Sequence, residues 1–181
     1  KFVQWSTEAT MPTSNAVMGI FQFGGKIGLT TRRMFETIVK PLVETHTGLA
    51  YVDGASYYES SNVKMPLIAA MIAEARLVIV DISEKNPNVF MELGIAYSLN
   101  KPLVLLCSQR SWESKKEKYW GGTMPFDING RELLIFKDEN ELKVKLGRFI
   151  SDSLYKTRQV AMSWISAAKD NHCKSSSEIE I

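Results

Sequence analysis

Residues 75–106 read ARLVIVDISEKNPNVFMELGIAYSLNKPLVLL, and this stretch decides the fold. It opens with an unbroken apolar run, Leu77 to Val80, that ends in Asp81, and it closes with a second, Leu103 to Leu106. Runs that are apolar throughout, rather than alternating, suit strands covered on both faces, as in a parallel sheet. Between them Asn86 is a good N-cap and Pro87 fits a first helical position, so the spacing predicts a helix over 87–99. Strand, helix and strand in the same sheet make a right-handed crossover unit.

The same alternation continues on both sides. Upstream, AVMGIF (16–21) precedes a helix expected from Thr30 to His46, and LAYV (49–52) precedes one from Met65 to Ala75. Downstream, PLVLLC (102–107) leads through a long loop to RELLIF (131–136) and a helix from Glu139 to Tyr155. Thr30 or Thr31 can cap the first helix, and Gly48 stands past His46 where a left-handed residue is wanted. Leu142, Leu146, Phe149, Ile150 and Leu154 give the last helix one apolar stripe. Five such repeats predict an α/β fold, a doubly wound five-stranded parallel sheet of flavodoxin-like order 2-1-3-4-5 in a three-layer sandwich. Residues 1–15 are expected as an irregular lead-in, 16–156 as the domain, and 157–181 as a C-terminal helical extension and polar tail. Val160, Trp164 and Ile165 in that extension have no core to enter, so a homo-oligomer is expected.

A chain of 181 residues with 45% hydrophobic and 23% charged residues can bury one ordinary core. Its formal charge of +2 gives no support to nucleic-acid binding. No stretch has the length and apolarity of a bilayer span, and the first ten residues have no export signal, so the expectation is a cytoplasmic protein without membrane contact. Cys107 and Cys173 make no disulfide framework. His46 and His172 make no metal site, and His46 is expected to meet the carboxyl end of its own helix. No metal and no cofactor is expected.

In open α/β sheets the ligand crevice lies beyond the carboxyl ends of the strands, where strand order reverses. That rule nominates Gln22, Phe23 and Gly24 after the first strand, Asp53 and Gly54 after the second, Asp81 and Ser83 after the third, and Cys107 and Ser108 after the fourth. Gly24-Gly25-Lys26 fails the Walker pattern, because Ile20 and Ile27 stand where Gly and Ser or Thr are required. The loop from Arg110 to Gly122, with Trp112, Tyr119 and Trp120, admits two readings: a cover that stacks on a ligand, or a solvated excursion. Between Lys85 and Lys101 the one charged side chain is Glu92. Helical spacing puts it on a stripe with Asn88, Ile95 and Leu99, so it does not belong to a solvated face. Burial would raise its pKa and a hydrogen bond from Asn88 would lower it, so spacing alone gives no net sign.

The stretch quoted first resembles the nucleoside 2-deoxyribosyltransferase-like group, whose pattern runs A-D-L-V-I-A-D-L-T-x-x-N-P-N-V-F-Y-E-L-G-x-A, and it is similar, more distantly, to TIR domains. Weaker echoes lie in Phe23-Gly24 and in Pro125-Phe126-Asp127, and together the likeness covers residues 16–155. Arg76 and Met91 depart from the pattern, which has Asp and Tyr there. The resemblance implies cleavage or transfer at the N-glycosidic bond of a nucleoside, a nucleotide or NAD. Glu92 would be the nucleophile at the anomeric carbon, with Asp81 as second carboxylate. It further implies that Gln22, Phe23 and Asp53 line the pocket and that Asn88 orients Glu92 or meets a sugar hydroxyl. Retaining glycoside chemistry does call for one carboxylate at the anomeric centre and a second group for the leaving group's proton. The alternative from a different class is a nucleotide-sensing or self-association module that keeps the pocket without turnover.

Overall fold

The structure is a computed structural model that describes residues 16–54, 64–113 and 133–152. Five strands, β1 (Ala16–Ile20), β2 (Ala50–Asp53), β3 (Leu77–Asp81), β4 (Leu103–Ser108) and β5 (Leu133–Phe136), form one sheet in the order β2-β1-β3-β4-β5. Every neighbouring pair is parallel. The expected sheet and strand order are therefore as observed, and the order reverses between β1 and β3.

The helices are α1 (Gly25–Met34), which runs through a π-helical turn at Phe35–Val39 into α2 (Lys40–Thr47), then α3 (Lys64–Glu74), α4 (Pro87–Ser98), the short α5 (Gln109–Glu113) and α6 at 139–152. They divide the core into two layers. On one face Phe35, Val39 and Val43 from the first helical run join Leu142, Leu146 and Ile150 of α6 over Val17, Ile79, Val104 and Leu106. On the other, Ile68, Met71 and Ile72 of α3 and Val89, Leu93 and Ala96 of α4 cover Met18, Ile20, Val78, Val80 and Leu105. Inward residues alternate between the layers along each strand, which is why β3 and β4 need to be apolar at every position before their final Asp81 and Ser108. Each such side chain removed from water contributes about 1.5–3 kcal/mol before entropy is counted.

Local chemistry fixes the helix ends. Asn86 accepts a hydrogen bond from the Asn88 N–H at 2.9 Å and caps α4, with Pro87 behind it. Gly48 ends α2 at φ 67°, the left-handed conformation expected of it, and the His46 ring lies 2.9 Å from the Leu42 carbonyl. Lys101 donates from Nζ to the carbonyls of Ala73 and, at 3.0 Å, Ala75, tying the end of α3 to the β4 entry.

One boundary differs from expectation. The first helix starts at Gly25 rather than near Thr30, and neither threonine caps it: Thr30 donates back to the Lys26 carbonyl at 3.2 Å, inside the helix. Gly25 sits at φ 75°, a conformation that glycine adopts without strain, and this lets the chain turn from strand to helix within four residues. The wide π turn falls just before Pro41, which has no N–H for the carbonyl four residues back. The expected 157–181 extension, with Val160, Trp164 and Ile165, lies outside the described residues.

Candidate active site at the carboxyl edge of the sheet

Because all strands are parallel, Ile20, Asp53, Asp81 and Ser108 end on one edge. The register sets Gly19 opposite Asp53, Ile20 opposite Val80 and Asp81 opposite Leu106. The chain leaves β1 toward one face and β3 toward the other, which opens the crevice between them.

On the β3 side, the Asp81 carboxylate is buried and its Oδ1 accepts from both the Ser83 N–H (2.9 Å) and the Ser83 hydroxyl (2.5 Å). Ser83 Oγ in turn accepts from the Ser108 N–H at 2.8 Å, so a hydrogen-bonded chain ties the ends of β3 and β4 together. Burial pushes the Asp81 carboxyl up to about 6, against the lowering effect of the two Ser83 bonds. Near the end of β4 the Cys107 thiol is pushed up to about 12, mainly by burial, which makes it an inert packed group.

Glu92 is the sixth residue of α4, roughly 9 Å along the axis from its N-terminus. It shares the inward face with Val89, Leu93 and Ala96 and is only 7% exposed. This corrects the expected stripe: Asn88 and Leu99 are exposed and Ile95 is half-buried, because the sheet takes the face one residue over. Asn88 meets the cap through its backbone, and among the described residues no hydrogen bond joins it to Glu92. Burial alone raises the Glu92 carboxyl to about 7, so the sign that spacing left open is upward.

The β1 side is aromatic. Phe21 is buried, stacked on Phe35 with ring centres 4.3 Å apart and edge-on to Phe23 at 4.7 Å. The Phe23 ring lies so close to Gly54 that a Cβ there would meet it at 3.3 Å, which brings the β1 and β2 exits together. Gln22 donates from Nε2 to the Gly24 carbonyl (3.1 Å) and accepts at Oε1 from Asn86 Nδ2 (3.2 Å). Asp53 is buried at the end of β2, with the Tyr51 phenol two residues before it on the same face. Tyr51 lies over Gly19, where an added Cβ would clash with its hydroxyl. Burial first, and the Asp53 charge second, hold the phenol far above its ordinary range.

Among the nominated residues, hydrogen bonds link Gln22 and Gly24 with Asn86, and Asp81 and Ser83 with Ser108, while Phe23 packs at Gly54 and Asp53 lies by Tyr51. Glu92 stands apart as a buried acid with no such link among the described residues. Tyr51 and the Gln22–Asn86 bond are additions that sequence reading missed. A buried phenol in an apolar strand reads as core, and a side-chain bond across 64 residues leaves no periodic trace. Of the aromatic loop, residues 110–113 lie on α5 with Trp112 exposed, and 114–122 lie outside the described residues.

Fold and crevice together define a doubly wound α/β domain with a buried carboxylate at its switch point. Solved structures similar to it include a CMP N-glycosidase from Clostridium botulinum, at 17% identity and TM-score 0.48 over 72% of this chain and 97% of that one. A 2-deoxyribosyltransferase from Leishmania mexicana matches at 16% identity and TM-score 0.47, over 75% and 97% of the two chains. Another, from Bacillus psychrosaccharolyticus, matches at 14% and 0.45, over 71% and 90%. These likenesses concern the fold and do not transfer an activity. No protein-family model and no curated protein sequence matches the chain.

Proposed function

We propose that this protein cleaves or transfers at the N-glycosidic bond of a nucleoside, a nucleotide or NAD, with Glu92 as the nucleophile. The observation that carries the reading is Glu92 itself. An acid that is 7% exposed, on an otherwise uncharged helix and with no compensating partner among the described residues, costs stability and contributes nothing to packing that Leu or Met would not. Such a cost is typical of a functional site.

The chemistry follows from the charge. As the bond from the anomeric carbon to the base nitrogen lengthens, its electron pair leaves with the base and positive charge develops on the sugar. A buried carboxylate poorly solvated in the ground state gains most from that charge, and it closes on the anomeric carbon to form a glycosyl ester. Asp81, raised to about 6, is the second carboxylate for the leaving base's proton; Ser83 holds its Oδ1 and orients the group. Phe23 and Asp53 flank the base or sugar from the β1 and β2 exits, beside Gly24, and Asn88 stands exposed at the mouth of α4. Water or a second base then takes the sugar from Glu92 and restores the carboxylate. The test is release of free base from a panel of nucleosides, nucleotides and NAD by the parent protein and by Glu92→Gln. Base release by the parent and its loss in the variant support the reading, and equal rates refute it.

A further inference from the structure

The Glu92 carboxylate has no hydrogen bond among the described residues, so its placement is inherited from α4, and the start of α4 is held from across the crevice. The Gly24 carbonyl can only accept and the Asn88 N–H can only donate. Between them stand two side-chain amides: Gln22 gives Nε2 to Gly24 O and receives Asn86 Nδ2 on Oε1, while Asn86 receives the Asn88 N–H on Oδ1. Turning either amide over would set oxygen against oxygen or N–H against N–H at two contacts, so the whole run has one direction. It joins the turn between β1 and α1 to the cap of α4, and residue 86 lies six positions before Glu92 on a rigid helix.

Resting on the reading of Glu92 as nucleophile, we propose that Gln22 and Asn86 form a positioning pair that sets the Glu92 carboxylate against the β1 exit. Neither residue touches the reacting atoms. Gln22, nominated as a pocket residue, has both ends of its amide engaged within the protein and acts through α4.

Two variants separate this role from capping. Asn86→Asp keeps an oxygen for the Asn88 N–H, and Asp is as good a cap as Asn, but it faces Gln22 Oε1 with a second acceptor. Gln22→Met keeps the volume and removes both bonds. Steady-state kinetics on whichever substrate the parent turns over should show kcat lowered ~10–100-fold in each, the scale of a misplaced reacting group, with KM within about threefold of the parent. The double variant should fall no further than the lower single variant, because both break the same link. Asn86→Ser, which retains a cap but cannot reach Gln22, should match Gln22→Met. If both single variants keep the parental kcat while Glu92→Gln is inactive, or if their losses multiply in the double variant, the positioning role is wrong and the nucleophile assignment stands. If Glu92→Gln turns over as the parent does, the nucleophile assignment fails and the pair's role falls with it.

Discussion

At the scale of single residues, the raised Glu92 carboxyl makes two predictions of opposite benefit. A nucleophile must be ionised, so turnover should rise with pH through about 7, checked by a profile of kcat. Stability should move the other way. The folded carboxyl titrates near 7 against an ordinary 4.5, so the folded state holds its proton more tightly than the unfolded chain. The contribution is fully present below about 4.5 and is lost as pH rises toward 7, on the order of 3 kcal/mol in all. Glu92→Gln should therefore lose at least ~100-fold in turnover yet melt several degrees higher than the parent at pH 8, with the difference nearly gone by about pH 4, below the unfolded value. Thermal melts at the two pH values check it; a lower melting point for the variant at pH 8 would contradict the account. Glu92 was legible in the sequence because nothing else charged lies between Lys85 and Lys101. The sign of its shift was not, since that depends on whether Asn88 faces it, and a helix face one residue over decided the matter.

At the scale of elements, the strands were legible because β3 and β4 are apolar at every position before their last residue, and the α4 start because Asn86 and Pro87 mark it. The start of α1 was not, because its cap is Gly24, which offers no side chain, and Thr30 and Thr31 offered a more ordinary one. Links between elements left no sequence pattern, and two of them are testable. Asp81→Ala removes the acceptor of both Ser83 bonds at the β3–β4 edge and should cost about 1–3 kcal/mol, whereas Asp81→Asn keeps an acceptor and should fold as the parent while losing turnover. Denaturant melts beside base-release rates separate the two. Gly28 packs under the β1 exit, where a Cβ would meet the Phe23 backbone at 2.5 and 2.6 Å. Gly28→Ala should push α1 away from that turn, costing about 1–3 kcal/mol and raising KM, because the pocket wall moves with it.

At the scale of the molecule, no helix among the described residues is long and apolar enough to cross a membrane. Met91, Tyr97 and Leu99 stand exposed on or just past α4, away from the sheet. With the apolar residues of the C-terminal segment they keep a homo-oligomer as the expectation, and light scattering combined with a dilution series of specific activity checks whether copies associate and whether sites are shared. The central claim is narrower: a buried carboxylate at the switch point of this sheet becomes bonded to a sugar. Its most direct measurement is intact-protein mass spectrometry, followed by peptide mapping, after rapid acid quench of the protein with a nucleoside or nucleotide that it turns over. The account predicts a mass increment equal to the glycosyl group, mapped to the peptide containing Glu92 and missing from Glu92→Gln. A glycosyl adduct on another residue, or base release by Glu92→Gln at the parental rate, would contradict it.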